Sequence, residues 1–259
     1  MPALKSSVLI VGLGSGGFPV FQQLAQSGVS NFILIDPDRL DELNLLKHPG
    51  WRRDIGRLKV EIASEWLFDR NPSARVETLA EDLFNLAPKR VSAIMHRVQI
   101  VVSATDSNAA RHYINELCIA SRTPMTVGSV FRGGIGGSVL IYRPGISGCY
   151  ACMESLAERM DASLPNDAEL ALTGDEEQMV YGRRLTNYAA SGLISDIALV
   201  SGLHAQATLG EILAHEVAEG SLGRFNGTWA AMRIRAGQDW AWNLSLFDLP
   251  QLDDCLACQ

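Results

Sequence analysis

The sequence is poor in positive charge and has no long apolar run, and each shortage excludes a class of protein. Its 22 lysines and arginines stand against 29 aspartates and glutamates, so the formal net charge is −7 at pH 7. A broad surface for nucleic acid or for an anionic membrane needs a basic excess, so we do not expect nucleic acid as a partner. No stretch reaches the roughly 18 uninterrupted apolar residues of a membrane span, so we expect no membrane partner either.

The sequence also shows no targeting segment and no internal repeat. The first residues run straight into an apolar segment and a glycine turn, without a small-residue cleavage site. We therefore expect a cytoplasmic protein. The 259 residues are 47% hydrophobic and 20% charged, which is typical of a globular chain near the size where a single domain stops growing.

What is present is an alternation of short apolar runs with helical stretches, from Ser7 to about Tyr142. Strands are predicted at 8–11, 32–35, 74–79, 100–103 and 125–129. Helical stretches run from the glycine turn to about residue 27, from about 57 to the Asn71-Pro72 pair, and from 108 to 121. This alternation predicts a mostly parallel sheet that helices cover on both faces.

The pattern changes after Tyr142. A glycine-rich stretch introduces a strand at 138–142, and residues from about 158 to 184 are polar and acidic without a clean apolar period. We interpret that stretch as a mobile crossover loop, because such long loops are functional or disordered in compact proteins. A long helix at 194–217 and two further strands at 229–234 and 240–246 follow.

A glycine-rich turn joins the first predicted strand to the first helix. Gly12, Gly14 and Gly17 form the pattern G-x-G-x-x-G, and Asp36 ends the second strand nineteen residues later. Such glycines let phosphates approach the backbone at a helix N-terminus, and the acid can accept hydrogen bonds from a ribose. The plainer interpretation is tight packing of strand on helix. The acid at the second strand end favours nucleotide binding.

Four of the five cysteines form two C-x-x-C pairs, Cys149 with Cys152 and Cys255 with Cys258. In a cytosolic chain this spacing suggests metal or redox chemistry before disulfides. Four thiolates are the number that tetrahedral zinc takes, and neither pair opens a βαβ unit, so we predict a zinc site. Redox activity at one pair and disulfides remain the alternatives. Cys118 lies on the apolar side of a helix, so we expect a buried core residue.

Residues 35–72, IDPDRLDELNLLKHPGWRRDIGRLKVEIASEWLFDRNP, resemble the ThiF/MoeB family of ATP-dependent activating enzymes, relatives of the ubiquitin activators. The matching positions are Asp36 and Asp38, Asn44-Leu45, Lys47-His48, Asp54-Ile55-Gly56, Lys59 and Asn71-Pro72. Downstream, SATDSNAARHYIN is similar to the family's T-D-N-x-x-x-R-x-x-x-N, with Asp106, Arg111 and Asn115 in register. The similarity runs from Val8 to Cys258.

The resemblance implies a Rossmann-like α/β fold, extended by C-terminal antiparallel strands and a zinc-bound C-terminus. We expect one adenylation domain over residues 1–259. Residues 1–142 would form its nucleotide-binding part, and residues 143–259 its crossover, carrier-binding and zinc-bound part. The zinc ligands would be Cys149, Cys152, Cys255 and Cys258.

The activity that the resemblance implies is the attack of a carboxylate on the α-phosphate of ATP, which gives an acyl-adenylate and pyrophosphate. Two anions must be brought together, so cations and a metal ion carry much of the catalysis. The implied catalytic residues are Asp106, which would bind magnesium, and Lys59, Asn44 and Lys47, which would face the phosphates. The implied ATP-binding residues are Gly12, Gly14, Gly17, Asp36, Asp38 and Lys59, with Asp36 on the ribose.

Each of these residues alone has a plainer interpretation. Lys59 could be a solvated helix lysine. Asp106 could be an N-cap, and Arg111 could form a surface ion pair. The family spacing of the whole set favours the catalytic interpretation.

Two departures from the family pattern concern the phosphate cations. Lys47 stands where the family has arginine, which keeps the charge but loses the bidentate fork, and Arg52 or Arg53 could compensate. Family dimers also carry an arginine on a helix before the first strand, and few residues precede Val8 here. We expect a homodimer in which that arginine comes from elsewhere or whose arrangement differs.

The expected substrate is the C-terminal glycine of a ubiquitin-like or sulfur-carrier protein that ends in Gly-Gly. Residues 153–254 contain no cysteine, so we predict adenylation without a thioester on this chain. The acyl group would pass to a sulfur donor, a conjugating enzyme or an amine. The alternatives are another carboxylate, such as a small peptide or a modified tRNA base, and a non-catalytic subunit of an activating heterodimer. Nothing in D-x-G-x-x-K is needed for hydride transfer, which disfavours a dehydrogenase.

Overall fold

The computed structural model describes residues 4–131, 134–159, 178–180, 183–185, 193–216, 224–236 and 239–258. The strands in chain order are β1 (Leu4–Val11), β2 (Val29–Ile35), β3 (Arg75–Leu79), β4 (Ile100–Ser103), β5 (Met125–Val130), β6 (Gly136–Tyr142), β7 (Gln178–Val180), β8 (Arg183–Leu185), β9 (Trp229–Ala236) and β10 (Asp239–Phe247). The helices are α1 (Gly17–Gln26), α2 (Lys59–Phe68), α3 (Pro88–Met95), α4 (Asn108–Ser121), α5 (Tyr150–Arg159) and α6 (Ile194–Glu216).

Eight of these strands form one sheet in the order β10-β9-β6-β5-β4-β1-β2-β3. Strands β1 to β5 run parallel to one another, and β6, β9 and β10 add antiparallel pairs. The order 3-2-1-4-5-6 is that of a Rossmann fold, with its switch point between β1 and β4. The expected mostly parallel sheet with antiparallel C-terminal strands is confirmed.

Successive side chains of each central strand enter opposite cores, as the pleat of a strand requires. On β1, Leu9 and Val11 face one buried cluster, and Val8 and Ile10 face the other. The first cluster contains residues of α3, α4 and α5 together with three of the paired cysteines. The second contains residues of α1, α2 and α6. Both faces of the sheet are therefore covered, which explains why these strands are continuous apolar runs.

Helix α6 is long and apolar enough to cross a membrane by length and composition alone. However, 67% of that stretch is buried inside the protein. It packs on β5 and β6, and its hydroxyl at Ser201 donates to the Gly16 carbonyl, 3.1 Å away. The burial is that of a core helix, which also contacts the glycine-rich turn.

Three expectations from the sequence were incomplete. Helices α3 and α5, which both pack on the first cluster, were not predicted. The eight residues of α3 span little more than two turns, and α5 runs into the polar, acidic stretch that begins near residue 158. Strands β7 and β8 form a small antiparallel ladder inside the stretch interpreted as a loop. The rest of that stretch, residues 160–177, 181–182 and the segment after 185, lies outside the described residues.

Candidate nucleotide and metal sites

The glycine-rich turn follows β1 directly and packs against the loop after β4. Gly12 has a φ of +92°, and a Cβ there would lie 2.7 Å from the Ala104 carbonyl oxygen. Gly14, in contrast, has no atom within 4 Å of an added Cβ. The first glycine is thus required by the fold. The second leaves the open space that a phosphate beside the backbone would need.

Asp36, at the end of β2, holds the turn from the side. Its two carboxylate oxygens accept hydrogen bonds from the backbone N–H of Leu13 at 2.6 Å and of Asp38 at 2.8 Å. Burial raises the pKa of Asp36, while Lys59 and the two N–H donors oppose this shift. Each oxygen has a second lone pair, so the carboxylate could still accept from a ribose hydroxyl.

His48 holds the same turn through the carbonyl of Leu13, the residue whose N–H bonds to Asp36. Its Nδ1 accepts from the Gly50 N–H at 3.0 Å, so Nε2 carries the proton and donates to the Leu13 carbonyl, also at 3.0 Å. Burial lowers the pKa of His48 to about 4, so the ring is neutral at physiological pH. Sequence reasoning placed His48 in the motif without a role. The structure shows that it orients the glycine-rich turn.

The D-x-G-x-x-K segment folds back on the chain that follows β2. Leu40 accepts a backbone hydrogen bond from Gly56 at 2.7 Å and donates one to Arg57 at 2.9 Å. Asp54 stabilises this return by accepting from the Trp51 N–H and the Arg57 guanidinium. The return ends where α2 begins, so the motif determines where Lys59 lies.

Lys59 is buried at this point and faces Asp38. Its Nζ lies 2.7 Å from Asp38 Oδ2, and its backbone N–H donates to the Asp38 carbonyl at 3.0 Å. The interpretation of Lys59 as a solvated helix lysine is therefore wrong. The Asp38 N–H in turn donates to Asp36, whose other oxygen accepts from Leu13, so hydrogen bonds connect Lys59 to the glycine-rich turn through these two aspartates.

Asn44 and Lys47 occupy the turn between Asp38 and His48. The Asn44 N–H donates to Asp41 Oδ1 at 2.8 Å, and Asn44 Oδ1 accepts from the Asp41 N–H at 3.3 Å. Lys47 and His48 both donate their backbone N–H groups to the Asn44 carbonyl. Asn44 therefore shapes the turn, and its side-chain NH₂ is a donor that these bonds do not use.

Asp106 is exposed in the loop between β4 and α4. The N-cap of α4 is Ser107, whose hydroxyl accepts from the Ala110 N–H at 3.3 Å. The interpretation of Asp106 as an N-cap is therefore wrong. Among the described residues Arg111 forms no ion pair with an acid; its Nε donates to the Thr105 carbonyl at 3.0 Å and so holds the loop.

These elements meet because three neighbouring strands end together. In the register of the sheet, Val11 lies beside Ile35 of β2 and beside Ser103 of β4. The segments that follow them carry the glycine-rich turn, Asp36 and the loop with Asp106. The residues expected from the sequence thus surround one edge of the sheet, at the switch point where Rossmann folds bind nucleotides.

The four paired cysteines form one cluster, with three of them inside the first core and Cys258 packed against it. Their sulfur atoms all lie within 4.8 Å of one another, with 3.8 Å between Cys149 and Cys152, 3.7 Å between Cys149 and Cys255, and 3.4 Å between Cys152 and Cys258. All are free thiols, so the disulfide alternative is wrong.

The cluster has the dimensions of a zinc site. A tetrahedral ion with Zn–S bonds of about 2.3 Å separates its sulfurs by about 3.8 Å. Burial acts to raise the pKa of the Cys255 thiol, but hydrogen bonds from the backbone of Ala257 and Cys258 bring it to about 7. Four thiols in this arrangement could therefore bind zinc. Cys118 is buried outside the cluster, as expected, and burial raises the pKa of its thiol.

A second buried histidine lies on α6 against β5. His204 Nε2 is 3.0 Å from the Thr126 hydroxyl, which is 2.8 Å from that of Thr208. Burial lowers the pKa of His204 to about 4. These contacts, within the buried interface of α6 and β5, are those of a structural histidine.

Known proteins share both sequence and fold with this chain. The ThiS adenylyltransferase of Escherichia coli (strain K12), named for the sulfur carrier protein ThiS, is 34% identical over 152 residues, covering 58% of this chain and 59% of that protein. The adenylyltransferase and sulfurtransferase MOCS3 of Drosophila willistoni is 35% identical over 153 residues, covering 58% of this chain and 32% of that protein. The matches therefore span less than two thirds of either relative.

Among solved structures, E. coli MccB with ATP superimposes with a TM-score of 0.67 at 19% identity, covering 99% of this chain and 67% of that one. The same microcin C7 biosynthetic enzyme in complex with N-formylated MccA gives a TM-score of 0.66 at 19% identity, covering 98% and 68%. At this identity the likeness shows a shared fold. A model of the ThiF family matches residues 3–235. The chain belongs to the ThiF family.

Proposed function

We propose that this chain binds ATP with magnesium and adenylates the C-terminal glycine carboxylate of a sulfur-carrier or ubiquitin-like protein, releasing pyrophosphate. The observation that carries this proposal is the ion pair of Lys59 and Asp38 beside the glycine-rich turn. Hydride transfer would not require a buried ammonium next to the phosphate-binding turn. A reaction that builds negative charge on a phosphate would require it. Membership of the ThiF family and the names of its adenylyltransferase relatives support the same reaction.

The acidic side chains of the site would bind the ribose and magnesium, and the basic and amide side chains would bind the phosphates. Asp36 would hold the ribose, and Lys59 would leave or share Asp38 to contact the phosphates. The side-chain NH₂ of Asn44 and the ammonium of Lys47 would face the same phosphates from the preceding turn. Asp106, exposed at the end of β4, would bind magnesium, because a carboxylate oxygen is the ligand that this ion prefers.

Lys47 stands where the family has an arginine, and we propose that Arg52 and Arg53 compensate for the bidentate guanidinium contact that is lost there. Both are exposed, and the Arg53 guanidinium lies 5.8 Å from the centre of the exposed Trp51 ring. In a homodimer, the arrangement that we propose, these arginines could reach the partner's site. If so, Arg53→Ala would lower activity, and mixing it with an inactive Lys59→Met chain would restore part of it.

The carrier protein would dock on the C-terminal antiparallel strands. Strand β10 ends the sheet, and its alternate residues Trp242, Leu244 and Leu246 are exposed. In the described part of the chain no strand pairs with the outer edge of β10, and an apolar strand with such an edge suits another protein's sheet. Leu244→Lys should therefore raise the KM for the carrier and leave kcat unchanged. Phe68→Lys, at the exposed end of α2, serves as the matched control.

The activated acyl group would remain an adenylate until an outside nucleophile takes it. Cys118 is buried in the core, and the other four thiols would hold zinc. No cysteine among the described residues is then left for a thioester. Free thiols are also usual in the cytoplasm, which is where we place the reaction.

The test is ATP–pyrophosphate exchange with sulfur-carrier proteins that end in Gly-Gly, beginning with E. coli ThiS. We expect exchange that needs magnesium and the carrier. The same carrier without its last two residues is the control and should support none. Mass spectrometry of the denatured mixture should show no carrier bound to this chain by a bond that dithiothreitol cleaves.

Two outcomes would contradict the proposal. Exchange with a short peptide but with no Gly-Gly protein would favour a peptide carboxylate as the substrate. The structure of MccB, which shares this fold, was solved in complex with N-formylated MccA. Absence of exchange with every carboxylate, by a chain that still binds ATP, would favour a non-catalytic subunit.

A further inference from the structure

Asn115 is a buried amide that connects α4 to the cysteine cluster. Its side chain is 1% exposed, and its Oδ1 accepts from the Tyr150 N–H at 2.9 Å. Because a backbone N–H can only donate, the atom facing it must be the amide oxygen. The Asn115 NH₂ group therefore points away from Tyr150, and its orientation is fixed by the fold.

That NH₂ group has no hydrogen-bond partner among the described residues, although it is fully buried. A buried donor without an acceptor is unfavourable, so a native protein rarely keeps one. Cys149 directly precedes Tyr150, the residue whose N–H the Asn115 oxygen accepts, and its sulfur can accept a hydrogen bond.

We propose that the Asn115 NH₂ group donates a hydrogen bond to the Cys149 sulfur when the cluster holds zinc, and so acts as a positioning residue for the metal site. The inference rests on the proposed zinc. Four thiolates around Zn²⁺ carry a net charge of −2, and N–H donors to sulfur stabilise such a charge in a buried site. The donor that lacks a partner in the free thiol form would thereby gain one.

The position of Asn115 gives this bond a consequence beyond the metal. Asn115 lies on α4, the helix that begins just after Asp106, and Arg111 of the same helix holds the Asp106 loop. The cluster would therefore be tied to the helix that follows the loop with the proposed magnesium ligand.

A purely structural role is the alternative, because Tyr150 is the first residue of α5 and the Asn115 oxygen satisfies its N–H. Asn115→Asp separates the two roles. The aspartate keeps an acceptor for the Tyr150 N–H and loses the donor toward Cys149. Asn108→Asp is the matched control, since Asn108 Oδ1 accepts from the Tyr150 hydroxyl at 2.8 Å on the same helix, away from the sulfurs.

The experiment measures zinc per chain in the purified, reduced protein and the rate at which a chromogenic chelator removes it. We expect one zinc per wild-type chain and release about tenfold faster from Asn115→Asp. The thiolate-to-metal absorption of the cobalt-substituted variant should also shift. Asn108→Asp should match the wild type in both readouts. Release from Asn115→Asp within about twofold of the wild type, with an unchanged cobalt spectrum, would overturn the proposal.

A second measurement uses the wild-type chain, so its result does not depend on whether a variant folds. In the wild-type chain loaded with ¹¹³Cd, the Asn115 NH₂ protons should show scalar coupling to the metal through the Cys149 sulfur. A loaded chain without that coupling would overturn the role of Asn115 and leave the zinc site intact. A wild-type chain that binds neither zinc nor cadmium would overturn both, whereas pyrophosphate exchange tests the adenylation separately.

Discussion

Lys59 and Asp38 form an ion pair in which the cation is buried and the anion is exposed. Their charged atoms are 2.7 Å apart, while 7% of the lysine side chain and 65% of the aspartate side chain are accessible. A buried ammonium without a partner would be unfavourable. The exposed carboxylate provides that partner and is itself still largely in contact with water.

Lys59→Met should abolish most of the activity with little effect on folding. The thioether keeps the packing of the stem, and the Asp38 that it leaves behind is already solvated. We expect pyrophosphate exchange to fall by a factor of about 10² to 10³, as for the loss of one electrostatic contact to a transition state. Lys89→Met, at an exposed position of α3, is the control and should keep wild-type exchange. Wild-type exchange by Lys59→Met would contradict the assignment.

Alanine substitutions at the first two glycines of the turn should affect different properties, stability at Gly12 and ATP binding at Gly14. Gly12→Ala places a Cβ at a positive φ and 2.7 Å from the Ala104 carbonyl oxygen, so we expect a loss of at least about 2 kcal/mol of unfolding free energy. Gly14→Ala meets no atom and should fold normally. It should nevertheless weaken ATP binding by about tenfold or more, because the methyl group fills the space that a phosphate needs.

Urea unfolding and calorimetric titration with ATP measure the two effects. Normal ATP affinity in Gly14→Ala would show that the phosphates lie elsewhere.

Asp106 and Ser107 are neighbours with separable roles. Asp106→Ala should remove magnesium-dependent exchange and leave thermal stability unchanged, because the N-cap of α4 is Ser107. Ser107→Ala should lose about 1 kcal/mol of unfolding free energy and keep its magnesium dependence. Titrating magnesium into exchange reactions of both variants, beside their melting curves, makes the comparison. Exchange that survives in Asp106→Ala would reject the metal assignment.

Buried histidines should make the protein sensitive to mild acid. The pKa of His204, and likewise that of His48, falls from 6.5 to about 4 on burial. The unfolded chain then binds more protons between these values, so stability decreases as the pH falls through that window. Each histidine contributes roughly 2 kcal/mol to this loss at pH 5.

His204→Leu removes one of these groups while Thr126 keeps its bond to Thr208. The difference in unfolding free energy between pH 7 and pH 5 should therefore shrink by roughly 2 kcal/mol relative to the wild type. His96→Leu, at an exposed helix end, should leave the difference unchanged. The raised pKa of Asp36 acts in the opposite sense, so the comparison is between variants at the same two pH values. Equal differences in His204→Leu and the wild type would contradict the prediction.

The strands and the turn could be predicted because their signals are local. A continuous apolar run such as β4 is recognisable from four consecutive residues, and the glycine-rich turn from its own spacing. Helices α3 and α5 could not, since the eight residues of α3 span little more than two turns, and α5 runs into the polar, acidic stretch that was interpreted as a loop. They form because the first core covers one side of them.

The sequence by itself determined the parallel sheet, the glycine-rich turn with Asp36, and the two cysteine pairs, because each depends on residues close together in the chain. Only the tertiary structure decided that Lys59 faces Asp38, that Ser107 rather than Asp106 caps α4, and that cysteines 106 residues apart meet. It also decided that Asn115 turns away from Tyr150 an NH₂ group that has no partner in the described part of the chain. These relationships join distant segments, and packing of the sheet and helices brings them within hydrogen-bonding distance.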